Sequence, residues 1–153
     1  MGLKVGQFIP GFALYDQDGK IFNSSELVGK KPLVIFFYPK DYTPGCTAEV
    51  CSFRDSYEEF TELGAEVIGI SSDSENTHRK FVSKYRLPFT LLADRENKVS
   101  GLFKVKRNFF NLLPGRETYV ISKEGVILFV FNSVNATLHM KKALNALKNT
   151  EAK

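Results

Sequence analysis

Two cysteines, Cys46 and Cys51, lie five positions apart in a chain of 153 residues, and they are the side chains best suited to chemistry. A thiol attacks electrophiles as its thiolate, and a free cysteine with pKa ~8.5 is mostly protonated at neutral pH, so it needs activation. Cys46 follows Thr43-Pro44-Gly45 at what reads as a helix start. There, unpaired N–H groups and the positive end of the helix dipole favour a negative sulfur. Thr43 adds a hydroxyl in the same loop. On position alone, an activated nucleophile and an inert buried thiol both remain open. Two cysteines are too few for a disulfide scaffold in a chain of this size. The histidines, His78 and His139, are remote from both cysteines and sit on helices expected to be exposed, so neither a zinc site nor a histidine general base is indicated.

These residues need elements to hold them. Leu33 to Tyr38, LVIFFY, is short, apolar and bounded by Pro32 and Pro39, the pattern of a buried strand. A polar loop follows, then a helix expected over Thr47 to Leu63 and ended by Gly64. Glu66 to Ser71 reads as a second buried strand and Ser74 to Tyr85 as a second helix. Leu87 to Leu92 is extended and broken by Pro88, and Asn97 to Phe103 forms a short helix. Glu117 to Ile121 and Val126 to Phe131 are strands joined by a turn containing Gly125. Ala136 to Lys148 is an amphipathic closing helix. Ahead of all this, Phe8 to Leu14 and Ile21-Phe22 flank an Asp18-Gly19 turn, the mark of an N-terminal β-hairpin, and Asn23 to Leu27 offers capping residues for one helical turn. The order predicts an α/β, thioredoxin-like fold: an N-terminal β-hairpin, then a central mixed sheet flanked by helices, in a single domain spanning residues 1–153.

Composition narrows the function classes. Hydrophobic residues at 43% and charged residues at 25% are those of an ordinary globular domain, and fourteen Phe with no Trp suggests a Phe-packed interior. The net charge of +4 is scattered, and the aromatics occupy core-like positions, which argues against nucleic-acid binding. No segment has the roughly 18 apolar residues that a membrane span needs. The first residues lack the apolar centre of a signal peptide and the Arg- and Ser-rich character of a transit peptide, so the expected location is cytoplasmic, with a trimmed plastid protein as the alternative.

The residues around Cys46 carry a resemblance. Pro39 to Cys46 contains P-x-x-x-T-x-x-C between a strand and a helix, the motif of the peroxiredoxins. YPKDYTPGCTAEVCSFRD, Ser72-Asp73-Ser74, His78, Phe81, the run Tyr85 to Leu92 and Leu113 to Val120 resemble the bacterioferritin-comigratory-protein and peroxiredoxin Q subfamily over nearly the whole chain. The resemblance implies a thioredoxin-dependent peroxidase of the atypical 2-Cys type, reducing hydrogen peroxide and organic hydroperoxides. Cys46 would be the peroxidatic nucleophile, passing through a sulfenic acid, and Cys51 the resolving cysteine that closes an intramolecular Cys46–Cys51 disulfide. Arg116 would bring a permanent positive charge, Thr43 and the Cys46 N–H would hydrogen-bond the peroxide oxygens, and Pro39 would shield the pocket. No metal, haem or flavin cofactor is implied, only an external dithiol such as thioredoxin, and the subfamily suggests a monomer. A peroxide sensor using the same disulfide is the alternative.

Geometry adds a condition. Residues five apart in a continuous helix have Cα atoms about 8.6 Å apart, whereas a disulfide needs roughly 7 Å or less. The first turns must therefore unwind for the two sulfurs to bond. Glu49 and Arg54 suit either a supporting layer around the site or a solvated helix face. Phe109, Phe110, Leu112 and Leu113, in a loop before Arg116, suit core packing or an apolar rim. Tyr42 departs from the subfamily, which usually has an acidic residue there.

Overall fold

The computed structural model describes residues 2–105, 107–108, 113–133 and 135–151. Its largest sheet has the order β2-β1-β5-β4-β3-β8-β9, built from β1 (Ala13–Asp16), β2 (Ile21–Asn23), β3 (Leu33–Phe37), β4 (Glu66–Ser71), β5 (Thr90–Ala93), β8 (Glu117–Ile121) and β9 (Ile127–Asn132). A separate two-stranded ladder pairs β6 (Arg107–Asn108) with β7 (Leu113–Pro114). Helices α1 (Pro44–Asp55) and α2 (Tyr57–Glu62) connect β3 to β4, and α3 (Glu75–Tyr85) connects β4 to β5. Helix α4 (Lys98–Leu102) follows β5, and α5 (Leu138–Glu151) closes the chain. Strands β3, β4 and β5 run parallel, as crossover helices require, while β8, β9 and the N-terminal hairpin add antiparallel partners at either side. This is the expected mixed thioredoxin-like sheet.

Strand β3 lies at the centre because it is apolar on both faces. Val34, Phe36 and Tyr38 point into the layer under α1, α2, α3 and α5, and Leu33, Ile35 and Phe37 into the layer containing Phe12, Phe103 and Tyr119. The Phe-rich composition finds its place here: Phe36 stacks on Phe53 of α1 at 4.4 Å between centroids, which seats the cysteine-bearing helix on the strand that leads into it.

Some boundaries differ from the expected ones. The helix expected over Thr47 to Leu63 starts earlier, at Pro44, because proline fits the first helical position with its fixed φ and its missing N–H. It also breaks at Ser56, where the backbone leaves helical geometry at φ −109°, ψ 8°, giving α1 and α2 in place of one helix. The first strand begins at Ala13 rather than Phe8, which makes only an isolated bridge to Val126. Asp16 explains where it ends, since its Oδ1 accepts from the N–H groups of Asp18 and Lys20 and closes the Asp18-Gly19 turn. The apolar rim expected at Phe109, Phe110, Leu112 and Leu113 involves side chains outside the described residues. Among the described residues no helix is long and apolar enough to cross a membrane.

Candidate active site

The site forms where β3 runs out. Tyr38 still donates its N–H to Ile70 O at 3.1 Å, and Pro39 behind it is buried. Beyond Pro39 the loop is clamped through Asp41. Its Oδ1 accepts from Tyr38 Oη at 2.6 Å, its Oδ2 lies 2.6 Å from His78 Nδ1, and its N–H donates to Asp73 at 2.8 Å. His78 Nε2 faces the Leu92 carbonyl at 3.0 Å and donates to it. Asp41 and His78 are both buried, and each atom has a partner, which satisfies the cost of taking them out of water. Asp41, Asp73 and His78 are close enough to suggest a cation cluster, but these hydrogen bonds already account for their arrangement.

Tyr42 then turns the chain with φ 67°, a left-handed conformation uncommon outside glycine. Its ring packs on Phe81 at 4.9 Å between centroids, and Lys84 Nζ lies 5.8 Å from its centre. The non-acidic residue at this position therefore joins an aromatic cluster with α3.

Thr43 caps α1 in an extended conformation, and its Oγ1 donates to Lys40 O at 2.8 Å, leaving the oxygen's lone pairs to accept. With Pro44 first in the helix, Cys46 is third, so its N–H belongs to the first turn that has no intrahelical partner, the first such bond being Thr47 N–H to Thr43 O. Cys46 is fully buried.

Arg116 comes from 70 residues away. It precedes β8, whose first residue, Glu117, pairs with Phe37 at the end of β3, so the antiparallel register delivers the guanidinium to the start of α1. Arg116 Nη1 donates to Cys46 Sγ at 3.2 Å and to Glu49 Oε1 at 2.8 Å. Gly45 makes room for it, since a Cβ there would stand 2.6 Å from Nη2.

Behind the arginine lies a buried acid. Glu49 is fully enclosed and burial pushes its carboxyl up to about 8, against the lowering effect of Arg116. Among the described residues its Oε2 is buried without a hydrogen-bond partner, 3.8 Å from His139 Nδ1. His139 Nε2 donates to Ser133 O at 2.8 Å, and Nδ1 accepts from Thr118 Oγ1 at 2.7 Å. Burial lowers the pKa of this imidazole, assisted by the charge of Arg116, which favours the neutral ring.

Of the expected site residues, Cys46 and Arg116 are in direct contact, Thr43 caps the helix that carries Cys46, and Pro39 is buried at the end of the strand before it. Cys51 lies further along the same unbroken α1, partly buried, and burial raises its thiol above the ordinary value despite Arg54. Of the two open assignments, Glu49 belongs to the site, whereas Arg54 bonds Asp55 at 3.0 Å and the Tyr85 carbonyl at 2.9 Å, tying α1 to α3. The expectation of exposed histidines is corrected: both are fully buried. Their spacing carried the signal. His78, Phe81, Val82 and Tyr85 fall on one helical stripe, as do His139, Ala143 and Leu147, so each histidine lies on the apolar face.

Strand register delivers a guanidinium to a buried thiol at a helix start on a thioredoxin-like sheet, an arrangement suited to thiol peroxidase chemistry. The chain belongs to the AhpC/TSA family, whose model matches residues 5–130. It is 48% identical over 145 residues to the chloroplastic peroxiredoxin Q of Populus jackii, a match that takes in 94% of this chain and 68% of that one. The chloroplastic peroxiredoxin Q of Triticum aestivum is likewise 48% identical, over 94% of this chain and 66% of its own. Among solved structures, the peroxidoxin BcpB of Mycobacterium tuberculosis superposes with a TM-score of 0.89 at 38% identity, covering 96% of this chain and 97% of the other. The peroxiredoxin Q of Xanthomonas campestris gives 0.84 at 32% identity, covering 93% and 92%.

Proposed function

We propose that Cys46 attacks the terminal oxygen of hydrogen peroxide or an organic hydroperoxide and that Cys51 resolves the product. The observation that carries this reading is the Arg116 N–H aimed at Sγ from 3.2 Å at the open end of α1. A cation and helix-terminal donors favour the anionic sulfur, and the same groups face the oxygens of a peroxide held in line with it. The second guanidinium nitrogen and the Cys46 N–H donate to the peroxide, while Thr43 Oγ1, its own proton committed to Lys40 O, accepts the peroxide proton. Pro39, buried behind the loop, keeps water from the back of the pocket.

Sulfur takes one oxygen to become a sulfenic acid as water or an alcohol leaves. Burial keeps Cys51 as a waiting thiol. Both cysteines sit in one continuous helix, about 8.6 Å apart between Cα atoms, so the disulfide forms only after the intervening turns unwind. That unwinding also exposes the bond to an external dithiol of the thioredoxin type. The electrons travel through sulfur alone, so the cycle calls for no metal, haem or flavin. The related bacterioferritin comigratory protein of Xanthomonas campestris, 32% identical, is described for its alkyl peroxide reduction activity, which supports organic hydroperoxides as substrates here. Relatives at 48% identity are chloroplastic, which favours the plastid alternative over the cytoplasm. We take the working unit to be a monomer, which sedimentation of the reduced protein will check.

Coupled turnover with peroxide, thioredoxin and its reductase tests the assignment in wild type, Cys46→Ser and Cys51→Ser. Both variants are expected to lose thioredoxin-linked activity, with dithiothreitol rescuing Cys51→Ser alone. Activity retained in Cys46→Ser would overturn the reading. A sensor using the same disulfide would oxidise but turn over slowly with thioredoxin.

A further inference from the structure

One cation and two acids share the buried site. Arg116 faces both Cys46 Sγ and Glu49 Oε1, and among the described residues the other titratable neighbour is His139 on α5, whose cationic form burial and the charge of Arg116 disfavour, with Nε2 on the Ser133 carbonyl and Nδ1 on the Thr118 hydroxyl. Two anions beside one guanidinium in a dry pocket repel each other, so one acid keeps its proton. Glu49 is the acid suited to keep it: its Oε2 is buried with no hydrogen-bond partner among the described residues, an expensive position for a carboxylate and a tolerable one for a carboxylic acid. The sequence places this group between the two cysteines, on the turns that must unwind for Cys46 to meet Cys51.

We propose that Glu49 is protonated in the reduced protein and releases its proton when the turns between Cys46 and Cys51 unwind, so that the protein supplies the proton consumed by its own oxidation. The inference rests on the disulfide mechanism above and adds a role for a residue outside its bond-making steps. The balance is as follows. The Cys46 thiolate, a hydroperoxide ROOH and one proton give the sulfenic acid and ROH, the O–O bond breaking as an S–O bond forms. The sulfenic acid and the Cys51 thiol then give the disulfide and water. Together these steps take up one proton. Unwinding carries Glu49 away from Arg116 and His139 into water, where a carboxyl with an ordinary pKa of 4.5 ionises at neutral pH. Thiolate, thiol, carboxylic acid and ROOH thus become disulfide, carboxylate, ROH and water, with one negative charge on each side. On reduction, the two protons of the incoming dithiol return to Cys51 and Glu49. In the folded site, burial holds the Glu49 carboxyl up at about 8, which keeps it protonated at neutral pH.

The test is a proton count. Reduced protein in weak buffer at pH 7 receives one equivalent of hydrogen peroxide with an indicator dye present, and thiols are counted before and after. Glu49→Gln is expected to take up one more proton per disulfide than wild type, whatever the starting ionisation of Cys46. Equal counts would overturn the proposal. Should Glu49→Gln fold poorly, carboxyl ¹³C NMR of the wild type replaces it. The Glu49 signal is expected to titrate near pH 8 in the reduced form and in the ordinary carboxylate range in the disulfide form, and an ordinary value in the reduced form overturns the idea. If peroxide leaves the two thiols unpaired, the disulfide mechanism fails and takes the proposal with it, whereas a disulfide formed with equal proton counts sinks the proposal alone.

Discussion

Glu49 and Arg116 meet at 2.8 Å directly behind Cys46, and the same Nη1 that bonds the carboxyl reaches its Sγ at 3.2 Å. The guanidinium is held between a helix and the start of a strand that lie far apart in sequence, with 13% of its side chain exposed. A donor fixed in this way loses little by reorganising as the reaction proceeds.

Replacing Arg116 by Met is therefore expected to lower the second-order rate constant for peroxide by about 10²- to 10³-fold, the usual effect of removing one preorganised donor. Arg116→Lys should fall between, because an ammonium keeps the charge but not the fork that spans Cys46 and Glu49. Stopped-flow rates with hydrogen peroxide will show this. A full rate in Arg116→Met would mean that the guanidinium is idle.

Gly45→Ala separates geometry from stability. The new Cβ would stand 2.6 Å from Arg116 Nη2, so the guanidinium must shift, and a displacement on the order of 1 Å can cost 10²-fold in rate. Alanine in a helix is more favourable than glycine by up to about 1 kcal/mol. The variant is expected to melt no lower than wild type while reacting at least about tenfold more slowly. An unaltered rate would show that Arg116 has slack that the close approach does not suggest.

His78→Phe should loosen the loop that carries Pro39 and Thr43. It leaves the Asp41 carboxylate buried without its 2.6 Å partner, and breaking a buried pair from one side costs about 3 kcal/mol or more. For a chain of this length that corresponds to a fall in Tm of roughly 10 °C. Urea unfolding and thermal melts measure it, and a variant as stable as wild type would show that the pair contributes nothing.

The buried carboxyl also sets a pH dependence. Glu49 keeps its proton up to about pH 8 when folded, whereas its ordinary value is 4.5, so between these limits the folded reduced state binds a proton that the unfolded chain has released. Its stability therefore falls as pH rises through that window, by up to about 1.4 kcal/mol per unit, and this cost is complete above about 8. Urea unfolding of the reduced protein from pH 5.5 to 7.5 should show wild type losing stability relative to Glu49→Gln. A difference that does not change with pH would count against a raised Glu49.

The strand, loop and helix around Cys46 were legible because their determinants are local. An apolar run between prolines, Pro44 at a helix start and the P-x-x-x-T-x-x-C spacing lie within a few residues of one another. The length of the helix was less legible, since Ser56 breaks it where no glycine or proline marks the place.

What the sequence determined by itself was the candidate nucleophile and its helix start, together with the need for that helix to open before Cys51 can reach Cys46. The tertiary structure decided what stands behind the sulfur. Helical periodicity puts Glu49, His78 and His139 on apolar stripes but does not say which buried partner each meets. Strand register brings Arg116 beside Cys46, and the packing of α5 against β8 brings His139 to Thr118 and Glu49. Whether a buried polar group carries a charge depends on those long-range partners, because in the dry interior a neighbour a few ångströms away outweighs the intrinsic preference of the side chain.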